Sequence, residues 1–432
     1  MISSQSERSS PSSAPTFSAI PARIDLDRAT APSPKHRRKW LLIAGFFVVI
    51  AVGVTLRLYH SGSSGIGQDE NLYREYVDSL SRYGFTAYPE IAEHYVERQQ
   101  ALPGAILPPT RFLYIFSGYL WVHATGAETL TALRHVSCLF SILMLFASAG
   151  FATRLGGWKI GLGIVALMSC APTQIHMSQH GLIDGFFAFW ATLCLWFLWE
   201  NLRRPHSAFW LTLYTVGLAL LVLTKENAMF AYLGLLALLG TNRWLRFGTI
   251  TPALLGLTII GPLIGVTTLV FLCGGANTFY DTYLLLVSKA SVLPYAVATG
   301  DGPWYRYLVD LLLMSPIVFL LAWGGVFRLR LAEKEPLYLL VFVAASYLLM
   351  CNIRYGMNLR YTNMWDMPLR YLALLAVYRI APSVRPYRDL VITAAVSLIC
   401  LVDLRQYYIF FVQYGLHELV TSGLLHALRI LK

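Results

Sequence analysis

The sequence predicts an all-α polytopic membrane protein with about eleven transmembrane helices and interfacial helices in its first external loop. Three observations carry this. Hydrophobic residues make up 56% of the chain and charged residues 13%, and the mean hydropathy is +0.55. A soluble domain keeps roughly 25% charge. The run 40–59 is almost uninterrupted and long enough to cross the hydrocarbon core as a helix, and similar runs recur to the C-terminus. Between them, basic residues gather in short loops, which is the positive-inside pattern.

Residues 1–39 are rich in Ser, Pro, Ala and Arg without apolar periodicity. They read as a disordered cytoplasmic tail before a single transmembrane domain, 40–432. The first run follows Lys35, Arg37, Arg38 and Lys39, and no clear small-residue cleavage site comes after it. It reads as a signal anchor with the N-terminus in the cytoplasm.

The first external loop, 60–128, is too polar for membrane core and too aromatic for a free linker. From Asp69 to Tyr83 the spacing is helical, with Leu72, Tyr76, Leu80 and Tyr83 on one side. Such a helix lies in the interface. The segment 107–122, after Pro108 and Pro109, fits either a short span or a second interfacial helix.

The basic loops decide. Arg154 and Lys159; Arg203 and Arg204; Arg243 and Arg246; Arg328, Arg330 and Lys334; and Arg379, Arg385 and Arg388 form five groups. All five face the cytoplasm when 107–122 is interfacial. The spans are then 40–59, 132–151, 160–175, 182–199, 208–223, 226–240, 250–273, 307–326, 337–351, 364–378 and 390–404. The pair flanking Thr224, Lys225 and Glu226 also fits one broken or re-entrant element. A second large external loop, 274–306, carries Asp281, Lys289, Asp301 and Arg306.

Most of the net charge of +11 sits in the tail and the short loops. It sets orientation and gives no sign of a nucleic-acid partner. The six cysteines are scattered singly and form no CxxC pair. Neither a thiolate zinc site nor a disulfide framework is indicated.

This topology collects polar features on the non-cytoplasmic face: Asp69 and Glu70, the turn Gln179 to Asp184, the turn Thr224 to Glu226, and Asn352 to Thr362 with Arg354 and Arg360. Each has an ordinary explanation. Asp69 suits an N-cap, and Asp184 suits the dipole of the span it opens. Lys225 has Glu226 beside it for a local ion pair, and Arg111 suits snorkelling. His176, His180 and Asp184 are spaced by four, which on a continuous helix is compatible with a metal site. Pro172 and Gly181 speak against that continuity.

The order of the signals is more specific than any one of them. Asp-Glu follows span one. Then come Pro108-Pro109 with Tyr114, Ala132-Leu133-Arg134, Ile183-Asp184-Gly185-Phe186 and Leu223-Thr224-Lys225. This series resembles the GT-C glycosyltransferases, in particular the protein O-mannosyltransferase-like branch that includes the bacterial lipid A aminoarabinose transferase. The similarity is good over 68–240 and loose elsewhere. Leu107 stands where Lys or His is frequent, and Glu226 where Gly often follows the lysine.

The resemblance implies transfer of a sugar from a polyprenyl-phosphate carrier to a lipid, glycan or protein acceptor, at the external face of what would be a bacterial inner membrane. Asp69 then matches the catalytic carboxylate and Glu70 its acidic neighbour. Asp184 matches the second acidic position, and Lys225 the lysine near the carrier phosphate. Arg111, His180 and Arg360 join them as substrate-binding candidates. A divalent metal is compatible with the site, and no organic cofactor is indicated. The chemistry is coherent. A hydroxyl acceptor needs a base aimed at its proton, whereas the leaving phosphate needs charge stabilisation more than a proton. One carboxylate opposite the leaving group suits inverting displacement. The rival reading is a transporter or flippase of a lipid-linked saccharide. An inverted repeat would favour it, and the sequence shows none.

Overall fold

The computed structural model describes residues 34–59, 67–289, 292, 300–353, 356–381 and 387–431. Residues 1–33 of the expected tail, Arg354, Arg385 and part of the expected second external loop lie outside them. The chain forms two compact units, residues 1–45 and Phe46–Lys432. The candidate site lies wholly in the second.

Every element among the described residues is helical. The first helices are α1 (Pro34–Leu58), α2 (Gln68–Tyr83), α3 (Tyr88–Ala101), α4 (Phe112–Thr125), α5 (Thr129–Gly156) and α6 (Trp158–Ser169). Then follow α7 (Pro172–Gln179), α8 (Ile183–Arg203), α9 (Ala208–Val222), α10 (Ala228–Leu245), α11 (Pro252–Leu272) and α12 (Ala276–Ser288). Each of the eleven apolar runs is helical. Among the described residues four helices are long and apolar enough by themselves to cross a membrane: α5, α8, α11 and the stretch Arg388–Gln413. The protein is an integral membrane protein.

Two runs are broken, and proline explains both. Run 160–175 splits into α6 and α7 with a bend of 56°. Ala171, before Pro172, is extended at φ −63° and ψ 116°. Run 307–326 splits into Arg306–Met314 and Pro316–Val326, with Ser315 at φ −140° and ψ 70°. Proline's ring disfavours the helical region for the residue before it.

Helix α5 is the hub. It packs against α4, α6, α7 and α8, while α9 lies along α8 and α11. One buried cluster joins α2, α3 and α4 to α5 and α8 through Tyr73, Val77, Tyr88, Tyr114, Leu133 and Phe186. Tyr114 meets Tyr73 edge-on at 5.1 Å and Phe186 at 5.5 Å between ring centroids. Edge-on aromatic pairs of this kind contribute roughly 0.5–1.5 kcal/mol beyond area burial. This cluster fixes α2 against α8, and so fixes the site.

The buried face of α2 is Leu72, Tyr73, Val77 and Leu80. Tyr83, expected on that face, is exposed. The helix also starts one residue earlier than expected. Gly67 is its N-cap, so Asp69 is not. Glu70 does the capping instead, with Oε2 accepting from Gly67 N–H at 2.9 Å.

Charges inside the bundle are hydrogen-bonded, with or without a counter-charge. Arg57 is fully buried and donates to Ser141 Oγ and to the carbonyls of Gly53, Met168 and Ser169. Arg370 donates to Asp403 at 2.5 Å. An unpartnered charge at such depth costs several kcal/mol. Just after α12, Lys289 donates to the carbonyls of Gln99, Gln100 and Leu102, where a cation suits the C-terminal end of α3.

Candidate active site

Four elements converge. The start of α2 supplies Asp69 and Glu70, and the first turn of α8 supplies Asp184. The turn between α9 and α10 supplies Lys225 and Glu226. The 3₁₀ helix Leu359–Trp365 supplies Arg360.

Arg360 stands at the centre. Its Nη2 donates to Asp69 Oδ2 at 2.6 Å. Its Nε lies 3.6 Å from Asp184 Oδ2, and its Nη1 lies 3.6 Å from Glu418 Oε1. Lys225 Nζ reaches Asp184 Oδ1 at 2.5 Å and sits 4.2 Å from the centre of the Tyr361 ring. Asp69, Arg360, Asp184 and Lys225 thus form one chain of alternating charge. Asp69 keeps a side-chain exposure of 20%, against 4% or less for the other three. Of these four it is the one open to an incoming molecule; Glu418, on the other side of Arg360, is more exposed still.

Glu70 is fully buried. Its Oε1 accepts from Arg134 Nε at 3.1 Å and from Gly181 N–H at 2.6 Å. His180 Nδ1 lies 3.7 Å from Oε2. Burial pushes the Glu70 carboxyl up. The nearby His180 ring and hydrogen bonds from Arg134 and the two backbone N–H groups outweigh it and hold the acid well below its ordinary range. The contact is close: a Cβ added at Gly181 would lie 3.3 Å from Glu70 Oε1.

Neighbours in sequence do not pair in space. Glu226 turns away from Lys225 and takes Arg111, whose Nη2 donates at 2.9 Å. Arg111 Nη1 also donates to Tyr73 Oη at 2.6 Å. Arg111 is buried and does not snorkel. Burial raises the Glu226 carboxyl, but the Arg111 guanidinium more than reverses this and lowers it. Burial lowers the Lys225 ammonium despite Asp184. The expected local ion pair is replaced by two long-range ones, because each carboxylate meets a cation fixed on another element.

The histidine spacing does not make one helical face. Helix α7 ends at Gln179, His180 is extended at φ −116° and ψ 153°, and Asp184 opens the next helix. His176 and His180 still meet, with ring centroids 4.6 Å apart.

Sequence reasoning missed Glu418, His417 and Tyr361, and it assigned no role to Arg134. Glu418 accepts from Asn358 Nδ2 at 2.6 Å, and Leu359 N–H donates to Leu419 O at 3.0 Å. The segment beyond the last apolar run therefore closes over the site. One signal was present: Glu418 is the sole carboxylate residue after Asp403.

Five carboxylates (Asp69, Glu70, Asp184, Glu226, Glu418) face four cations (Arg111, Arg134, Lys225, Arg360). Such a site can take a proton at Asp69 and hold an anion between Lys225 and Arg360.

The family described as dolichyl-phosphate-mannose-protein mannosyltransferase matches residues 88–273, less than half of the chain. That stretch includes Arg111, His180, Asp184 and Lys225, and leaves out Asp69, Glu70 and Arg360. Among curated proteins none matches. Among solved structures, the oligosaccharyltransferase of Archaeoglobus fulgidus in its apo form has a TM-score of 0.59 at 14% identity, covering 86% of this chain and 56% of its own. AglB from Archaeoglobus fulgidus, in complex with an inhibitory peptide and a dolichol-phosphate, has 0.54 at 13%, covering 86% and 55%. ArnT from Cupriavidus metallidurans in the apo state has 0.52 at 16%, covering 91% and 75%. The chain spans just over half the length of the archaeal enzymes. At these identities the likeness is one of fold, and the fold is that of the GT-C glycosyltransferases.

Proposed function

We propose, from the GT-C fold and the geometry of the site, that the protein is a membrane glycosyltransferase. It moves a sugar from a polyprenyl-phosphate carrier to a lipid, glycan or protein acceptor at the non-cytoplasmic face of a bacterial inner membrane. The observation that carries this reading is the alternating series Asp69, Arg360, Asp184 and Lys225, with Asp69 at its accessible end.

Asp69 is the base. It takes the acceptor proton as the acceptor oxygen bonds the anomeric carbon. The bond from that carbon to the phosphate oxygen breaks, with inversion. Lys225 and Arg360 receive the charge that develops on the departing phosphate. Asp184 holds both cations until the phosphate competes for them. Glu70 is the acidic neighbour that fixes the start of α2, and with it the direction of Asp69. Arg111 and Glu226 brace the Lys225 turn from behind, and His180 braces Glu70.

The length of α8 supports the proposed orientation. Asp184 and Arg203 lie at opposite ends of this helix of 21 residues. At 1.5 Å per residue it is about 31 Å long, close to the hydrocarbon thickness of ~30 Å. The site and the basic loop at Arg203 and Arg204 therefore belong to opposite faces, and short basic loops stay inside. The dolichol-phosphate bound to AglB supports a lipid phosphate as the carrier.

Purified protein incubated with labelled polyprenyl-phosphate sugars and candidate acceptors tests the reading. Label should pass to the acceptor, with an equal amount of free polyprenyl phosphate. Binding or movement of the intact donor, with no bond broken under any acceptor, would mean a transporter instead.

A further inference from the structure

Beside the charged series lies a second cluster, none of whose members touches the reacting atoms in the transfer step. We propose that Glu70, His180 and His417 form a zinc site that fastens the C-terminal segment to the start of α2. The proposal goes beyond the glycosyltransferase reading and does not depend on it.

The three residues come from three places in the chain: the first turn of α2, the turn between α7 and α8, and the segment after Arg388–Gln413. One ligand atom from each lies within 4.8 Å of the others. Zinc bonds nitrogen and oxygen at about 2.0–2.2 Å. The three atoms therefore need to draw in by about an ångström around the ion. A water completes the tetrahedron. Two imidazoles and one carboxylate suit zinc better than calcium or magnesium, which take oxygen donors.

The tautomer of His417 points the same way. Its Nδ1 lies 3.3 Å from Glu418 Oε1, a carboxylate oxygen that needs a donor. The proton then sits on Nδ1, and Nε2 keeps its lone pair. That Nε2 is buried and has no hydrogen-bond partner among the described residues. It faces Gly67, where an added Cβ would lie 2.3 Å away. Gly67 N–H in turn donates to Glu70 Oε2. The imidazole thus approaches the same carboxylate oxygen that faces His180.

The supporting contacts are those a metal site requires. Histidine ligands usually donate their other N–H to a carboxylate or a carbonyl, and ligating carboxylates are themselves held by donors. Glu418 does this for His417. Arg134 and Gly181 hold Glu70 Oε1, and Oε2, which accepts from Gly67 N–H, keeps a lone pair for the ion. His176 Nε2, 3.4 Å from His417 O, ties down the backbone of the C-terminal segment, and its ring stacks on Phe411 at 4.0 Å.

The test uses the full chain in detergent, stripped with a chelator and dialysed against zinc. Metal content measured by mass spectrometry should be close to one zinc per chain, and added zinc should raise the melting temperature. His417→Ala and Glu70→Gln should each abolish both effects. Glu418→Gln should weaken zinc affinity by about 10–100-fold, the usual cost of losing such a supporting contact. Asp184→Asn should keep the zinc, which separates this site from the acidic residues around Arg360. Cobalt in place of zinc should give the visible absorption of a tetrahedral ion in the native chain and lose it in His417→Ala, a readout available even if Glu70→Gln does not fold. A native chain that takes up no zinc, or zinc retained in full by His417→Ala, overturns the proposal.

Discussion

Arg360 and Asp69 are 291 positions apart in the chain, and their side chains meet at 2.6 Å. The contact joins the first turn of α2 to the 3₁₀ helix Leu359–Trp365. The same guanidinium faces Asp184 and Glu418. A planar fork can serve several carboxylates at once, which an ammonium cannot do in the same geometry.

Removing that fork leaves three carboxylates facing one another in a mostly buried site. Arg360→Ala should therefore cost about 3–5 kcal/mol of stability, the usual result of stripping one partner from a buried ion pair. Chemical denaturation in detergent measures it. A loss under about 1 kcal/mol, typical of a surface pair, would show that the guanidinium is not the centre of the cluster.

Lys225 and Asp184 form the most buried ion pair of the site, with exposures of 3% and 2%. Lys225→Ala should lower both donor affinity and rate, because it removes a phosphate partner. It should also destabilise the protein, by leaving buried Asp184 with Arg360 as its one remaining cation. The double change Lys225→Ala with Asp184→Ala should recover part of the stability and none of the activity. Thermal melts alongside donor-binding titrations separate the two effects. If the double change is less stable than the sum of the single ones, the pair is not the source of the loss.

Acid should unfold the protein through the same carboxylates. Burial raises Glu70 and Glu226, but His180 and Arg134 in the first case and Arg111 in the second bring both below the ordinary value of 4.5. Their folded values are depressed. The stability they give is then complete above about pH 4.5 and is lost as pH falls through the folded values. Melting temperature should be flat from neutral pH to about 5 and drop below that. Glu70→Gln starts lower at neutral pH and falls less steeply, since one of the linked protons is gone. An unchanged slope in that variant would assign the acid transition to other groups.

The parts of this site readable from sequence are those where a charge interrupts an apolar run. Asp184 and Lys225 sit at the ends of such runs, and Asp69 and Glu70 follow the first one. Burial of a charge is costly, so each signalled a partner or a task. The partners themselves were not readable. Lys225 has Glu226 next to it in sequence, and only packing reveals that Glu226 belongs to Arg111. Glu418 and His417 come after the last apolar run, where a lone polar pair looks like solvated loop. The breaks at Pro172 and Pro316 were visible as prolines, but their geometry depends on what α5 and the neighbouring helices allow.

The proposed base is tested most directly by Asp69→Asn. The amide keeps the shape of the side chain and can still accept from Arg360 Nη2. It cannot take the acceptor proton. General base catalysis is worth about 10²–10⁴-fold, so turnover should fall by roughly a hundredfold or more. Donor affinity should change little, because the carboxylate acts on the acceptor and the carrier phosphate is held by Lys225 and Arg360. The split is informative. A residue that merely held Arg360 in place would weaken donor binding and turnover together when changed, because the phosphate contact would move with it. Single-turnover rates at saturating donor, with a separate titration of donor binding, distinguish the two outcomes. Near-normal turnover in Asp69→Asn would remove Asp69 as the base and turn attention to Asp184 or Glu418, the other carboxylates that face Arg360.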